Sequence, residues 1–289
     1  MSEMSQPRKP PWLKKRISQL QDVSKVRSIL DVGSLHTVCE EARCPNLGEC
    51  FSSGTATLLI LGKVCTRNCG FCAVERGTPA SLDESEPQKV AQAIREMGLR
   101  YVVVTSVTRD DLPDGGASIF AGTIRAIRAV DQKIKIEVLI PDFQGDLASL
   151  VKVLTERPDV LNHNVETVSR LYPQVRPQAD YQRSLELLRR SKENDPHVLT
   201  KSGFMLGLGE EQGEVRDLLR DLREVSCDFL TIGQYLQPRR ERLPVVRYVP
   251  PEEFEEVRKI AAEMGFKDVA SGPFVRSSYH ASRMFDAHV

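Results

Sequence analysis

Six of the seven cysteines fall within 34 residues, as two triplets: Cys39-x4-Cys44-x5-Cys50 and Cys65-x3-Cys69-x2-Cys72. Three thiolates on one short loop can converge on a single centre, and soft ligands of this kind suit an iron–sulfur cluster or zinc. A structural zinc site closes with four ligands, commonly two C-x2-C pairs about 12–20 residues apart, and the second such pair is missing. Around a four-iron cluster, three thiolates leave one iron without a protein ligand, open to substrate or cofactor. For the first triplet alone, a structural zinc or cluster staple stands as the plain alternative. Cys227 stands apart and reads as a small buried hydrophobe.

Such ligands need a scaffold, and beyond residue 55 short β-branched runs alternate with amphipathic stretches, as parallel strands joined by crossover helices do. Strands are expected at Thr57–Gly62, Tyr101–Ser106, Lys135–Ile140, Val160–Val165, Ser202–Leu208 and Phe229–Gln234. Helices are expected near Pro87–Met97, Ala117–Val130, Asp146–Thr155, Tyr181–Ser191, Gly213–Val225 and Pro251–Met264, with Gly98 and Gly265 as C-terminal stops. Six units are too few for an eight-stranded barrel, so the expected α/β fold is a partial (β/α)6 TIM-type barrel with its chemistry at the carboxyl ends of the strands. Residues 1–54 read as an extension bearing the first triplet, 55–270 as the barrel, and 271–289 as a short C-terminal addition.

Composition excludes several classes. The 289 residues carry 40 Lys+Arg against 40 Asp+Glu, 40% hydrophobic and 28% charged, an ordinary globular balance with no pull toward nucleic acid. No apolar run approaches the roughly 18 residues of a membrane span. The basic stretch at the start (Arg8, Lys9, Lys14, Lys15, Arg16, Lys25, Arg27) lacks the apolar core of a secretory signal, and cysteines in odd number argue against a disulfide framework. The expected compartment is the cytoplasm.

With Phe71 just before its last cysteine and its place after the first strand, Cys65-x3-Cys69-x2-Cys72 resembles the hallmark of radical S-adenosylmethionine (SAM) enzymes. The run from Leu35 through Cys39, Cys44 and Asn46 resembles the amino-terminal segment of the lipoyl synthase family. The likeness continues in Arg109–Ala117, Ile140–Phe143, Asn162–Thr167, Gly207–Glu210 and Arg276-Ser277-Ser278-Tyr279-His280.

The resemblance implies a radical SAM sulfurtransferase with two 4Fe-4S clusters. Cys65, Cys69 and Cys72 would hold the SAM-cleaving cluster; Cys39, Cys44 and Cys50 would hold an auxiliary one, with Ser278 or its neighbour Ser277 as an oxygen ligand. The implied reaction inserts two sulfur atoms at carbons 6 and 8 of a protein-bound octanoyl-lysine, sulfur coming from the auxiliary cluster. No side chain is basic enough to deprotonate such carbons, so a radical is required. The implied partners are an octanoylated lipoyl domain or H protein and an electron donor protein. Thr105, Glu137, Asn164, Glu166 and Arg176 are candidates for SAM contacts, set against a structural role for each; His163 reads as structural. The rivals are a sulfur inserter of the biotin synthase kind, disfavoured because the first triplet precedes the barrel, and a non-catalytic metal-stapled scaffold or electron carrier.

Overall fold

The computed structural model describes residues 8–14, 23–52 and 56–288; of the basic start, Lys15 and Arg16 lie outside them. Eight strands hydrogen-bond in chain order: β1 (His36–Thr37), β2 (Thr57–Ile60), β3 (Tyr101–Ser106), β4 (Lys135–Leu139), β5 (Val160–Asn162), β6 (Leu199–Leu206), β7 (Phe229–Gln234) and β8 (Asp268–Gly272). β1 runs antiparallel to β2 and every later pair is parallel. The main helices are α1 (Val23–Gly33), α2 (Glu86–Met97), α3 (Ala117–Val130), α4 (Leu147–Leu154), α5 (Tyr181–Asn194), α6 (Gln212–Glu224), α7 (Pro251–Glu263) and α8 (Ala281–Asp286); short helices at Val38–Glu41 and Leu47–Ser52 carry Cys39 and Cys50, and Val64–Cys65 pairs with Glu75–Arg76 in a separate two-stranded sheet.

The six units β2–α2 to β7–α7 are the expected partial barrel. Their helices place apolar stripes on the sheet, as with Val90, Ala91 and Ile94 of α2 or Val215, Leu218, Leu219 and Leu222 of α6. α2 stops where Gly98 turns left-handed (φ 68°) and its amide reaches back to the Ile94 and Arg95 carbonyls. Four strands differ from the sequence reading, β2 ending at Ile60 and β4 at Leu139, short of the expected ends. The β5 ladder ends at Asn162, so His163 and Asn164 turn into the loop above it. β6 starts at Leu199, earlier than expected, because Thr200 and Lys201 are polar residues buried within the barrel.

β8 is an addition to the expected six, and it straddles the anticipated start of the C-terminal segment at residue 271. Its sequence, Asp-Val-Ala-Ser-Gly, has no apolar run to announce it. The sheet does not close on itself: β1 and β8 are its two edges. The chain after β8 bridges this gap. Asn46 Nδ2 donates to the Phe274 carbonyl (2.7 Å), Tyr279 OH to Glu49 Oε1 (2.8 Å), and the Thr57 and Ser278 hydroxyls are hydrogen-bonded at 2.7 Å. α8 then covers the amino ends of the strands, where Met284 and Phe285 pack with Val160 and Phe229.

Candidate active site

The carboxyl ends of the strands surround one cavity of about 550 Å³. The loop after β2 brings Cys65, Cys69 and Cys72 to it; the extension brings Cys39 and Cys44; the segment after β8 brings Arg276, Ser277 and Ser278. Cys50 is not in its wall, but it lies close enough to Cys39 for the two thiolates to repel one another. All seven cysteines are free thiols, and Cys227 is fully buried on the far side of β6, as its isolation implies.

The second triplet is held from several sides. The Cys65 sulfur accepts the amides of Arg67 (3.4 Å) and Thr108 (3.3 Å), which fix its position on the loop. Arg67, buried between Cys65 and Cys69, forks onto Asp110 (2.7 and 2.9 Å) and reaches Asp142 at 2.6 Å. Gly70 is pinned by its amide to Val175 O (2.8 Å) and by the Leu243 amide to its carbonyl (3.0 Å). A Cβ at Gly70 would meet Leu243 at 2.8 Å and Gln174 O at 3.0 Å, so only glycine lets the loop come this near.

The first triplet meets the C-terminal segment through Thr57. The amide and hydroxyl of Thr57 interact with Cys39, and the same hydroxyl is bonded to Ser278. Burial pushes the Cys39 and Cys72 thiols up to about 12 and raises Cys69 as well. Metal binding at these sulfurs must therefore expel protons. No three His, Cys, Asp or Glu side chains among the described residues converge on the spacing of a single ion.

The walls mix apolar side chains such as Phe71, Leu139, Phe204 and Met205 with a few polar groups. Gly203 on β6 and Gly233 on β7 face inward. A Cβ on the first would strike the Thr231 hydroxyl and one on the second the Val275 carbonyl, so glycine at each position is what lets those groups pack against the strand. Ser106 Oγ, Asn164 Oδ1 and Arg176 Nε are buried without a hydrogen-bond partner among the described residues. Unpaired buried polar atoms are rare and costly, and three of them beside one cavity fit a polar ligand with its own donors and acceptors.

The expected SAM contacts divide. Thr105, Asn164, Glu166 and Arg176 all line the cavity. Asn164 Nδ2 donates to Glu166 Oε1 at 3.1 Å, and Arg176 Nη1 donates to Asn164 O at 2.9 Å and to Tyr172 OH at 3.1 Å. Glu166 holds a left-handed backbone (φ 67°), strain of the sort stored at functional positions. Burial pushes its carboxyl upward against the pull of Arg176. Thr105 spends its hydroxyl on the Leu139 carbonyl (2.9 Å) and so shapes the wall.

Glu137 is the correction. It lies below the cavity, not in its wall, and its carboxylate is taken by Tyr101 OH (2.6 Å), Asn162 Nδ2 (2.8 Å) and Lys201 Nζ (3.0 and 3.1 Å). A buried charge needs partners of this kind. His163, though in the wall, engages Ile140 O (2.8 Å) and Ser184 Oγ (3.1 Å), and burial lowers it to about 4, so it is neutral and structural.

Sequence reasoning missed Thr57, Arg67 and Arg276. Arg276 is buried in the cavity wall near both Cys44 and Glu166; its place immediately before the two serines was the available signal.

The comparisons agree with this geometry. The radical SAM superfamily matches residues 59–222, and the N-terminal domain of lipoyl synthase of that family matches residues 1–44. The lipoyl synthase of Rubrobacter xylanophilus is 58% identical over 94% of this chain and 85% of its own length; that of Caldicellulosiruptor saccharolyticus is 56% identical over 96% and 98%. The chain belongs to the lipoyl synthase family. It is a radical SAM sulfurtransferase whose cofactors are SAM and 4Fe-4S clusters. The fold recurs in Streptococcus suis SuiB bound to its precursor peptide (TM-score 0.59, 10% identity, 92% of this chain and 57% of that one). It recurs also in coproporphyrinogen III oxidase from Escherichia coli (TM-score 0.52, 14% identity, 72% and 52%). The substrate is accordingly a lipoyl-carrier protein, and no helix among the described residues is long and apolar enough to cross a membrane.

Proposed function

We propose that this lipoyl synthase inserts sulfur at carbons 6 and 8 of an octanoyl-lysine on a lipoyl domain or H protein, in the cytoplasm and with electrons from a donor protein. Cys65, Cys69 and Cys72 hold the SAM-cleaving cluster. Cys39, Cys44, Cys50 and Ser278 hold the auxiliary cluster that gives up its sulfur. The observation that carries the reading is a single cavity bounded by Cys65, Cys69 and Cys72, by Cys39 and Cys44, and by Ser278, whose hydroxyl shares Thr57 with Cys39.

When bound, SAM and the clusters supply one-electron chemistry able to break an unactivated C–H bond, and sulfide to replace the hydrogen. The chain positions and shields. Asn164 and Arg176 offer an acceptor and a donor that have no partner of their own, suited to the amino and carboxylate ends of SAM. Gly233 lets the Val275 carbonyl and the start of the C-terminal segment pack directly on β7, which sets Arg276 in the wall. The C-terminal segment keeps water from the barrel gap. Ser278 would offer the auxiliary cluster an oxygen ligand, a harder donor than a thiolate and one held less tightly by iron of this kind.

Incubating the anaerobically reconstituted, reduced protein with SAM and an octanoyl-lysine peptide tests this. Mass spectrometry should find the dithiolated peptide together with 5′-deoxyadenosine. Deoxyadenosine without any thiolated product would sink the assignment of the auxiliary site.

A further inference from the structure

The carrier must rest on the mouth of the cavity while its octanoyl-lysine arm reaches inside, so the rim tells what kind of surface it meets. Lys9 and Arg43 stand at the edge of the cavity wall, both exposed. Beside them the segment after β7 runs irregularly from Tyr235 to Pro250, a long connection of the kind usually kept for function. Gln237 and Pro238 line the cavity, Arg43 Nη1 donates to Pro238 O at 3.5 Å, and a tight turn follows in which the Arg242 amide bonds Arg239 O at 3.1 Å. Arg242 Nη1 then donates to Asn68 Oδ1 at 3.2 Å, which ties the turn to the cluster loop. Arg239 and Arg240 project from this turn, exposed, and make no side-chain hydrogen bond or ion pair among the described residues; Glu241 is the turn's only carboxylate.

The chain has zero net charge, yet Lys9, Arg43, Arg239 and Arg240 gather at this mouth, where the turn sets only Glu241 against them. We infer that Arg239, Arg240 and Arg43 form the docking surface for an acidic face of the carrier protein. This inference rests on the reaction proposed above. Exposed charges of this sort add little to a static complex but steer encounter and orient the partner, an effect that salt erodes. The balanced charge of the chain disfavours nucleic acid as the occupant of the rim.

The test compares two substrates: an octanoylated carrier domain, and an octanoyl-lysine peptide with uncharged flanks too short to touch the rim. In the double variant Arg239→Glu/Arg240→Glu, KM for the carrier should rise about tenfold or more with kcat unchanged, while peptide turnover stays as in the parent. The neutral pair Arg239→Gln/Arg240→Gln should fall between, and raising salt from about 50 to about 300 mM should raise KM for the parent but not for the Glu pair. An unchanged carrier KM overturns the inference, as does a parent that binds a single-stranded RNA oligonucleotide which the Glu variant does not bind while carrier KM is equal in the two. A parent that converts neither substrate overturns the proposed reaction and this inference with it.

Discussion

Arg67 should be the residue that fixes the second cysteine triplet in place, and its removal has a calculable cost. Its side chain is 4% exposed, and its partner Asp142 is fully buried; Arg183, at 3.4 Å, is the other cation near that carboxylate. Burial alone would raise the Asp142 carboxyl, but the hydrogen bond and charge of Arg67 hold it at about 2, below the ordinary 3.8. At about 1.4 kcal/mol per unit this shift is worth about 2 kcal/mol. Because the folded value is depressed, that stabilisation is present above the unfolded pKa, near 4, and is lost as pH falls through about 2. Arg67→Met goes further: it strands a buried carboxylate, for which about 3 kcal/mol or more is the usual cost.

Urea unfolding of the metal-free chain at pH 7, followed by circular dichroism, measures this. Arg67→Met should lose about 3 kcal/mol, and adding Asp142→Asn should recover more than half of it, since the stranded charge is then gone. At pH 5 the loss in the single variant should be smaller, because its Asp142, left without the arginine, takes up a proton more readily. In the reconstituted protein the same variant should retain closer to four irons than to about eight. A loss below about 0.5 kcal/mol, or no recovery in the double variant, refutes the clamp.

Two further outcomes follow from the cavity. Gly233→Ala should push the Val275 carbonyl and Arg276 away from β7 and displace Ser278, so that iron analysis and EPR find the auxiliary cluster depleted while the cluster at Cys65, Cys69 and Cys72 persists. Asn164→Ala should weaken SAM binding about tenfold in equilibrium dialysis, whereas Glu137→Gln should leave that constant unchanged and instead lower the urea midpoint.

Much of this was legible because it is local or periodic. Both triplets are contiguous spacings, and the strand–helix alternation needs only the hydrophobic pattern. The helix Ala117–Val130 and the strands Tyr101–Ser106 and Phe229–Gln234 fall where their patterns place them. β8 was not legible: a five-residue edge strand of Asp, Val, Ala, Ser and Gly owes its conformation to pairing with β7, not to its own propensity. Glu137 misled for a related reason. A carboxylate in a strand that leads to a site reads as a ligand contact, and only the fold reveals that Lys201, 64 residues away, lies opposite it in the barrel.

The same non-local logic explains why the active site is assembled from the two ends of the chain. A partial barrel leaves β1 and β8 as open edges, and an open edge beside a radical site admits both water and stray pairing. The segment after β8 covers that opening and in the same stroke delivers Arg276 and Ser278 to the cysteines of the extension. Closing the gap and placing Ser278 are thus one structural event: the contacts of Asn46 with Phe274 and of Glu49 with Tyr279 hold the seal, and Thr57, which meets Cys39, also bonds the Ser278 hydroxyl. A change that loosens the seal without removing any cysteine or serine, such as Tyr279→Phe, should therefore lower auxiliary-cluster occupancy, read by iron analysis of the reconstituted protein.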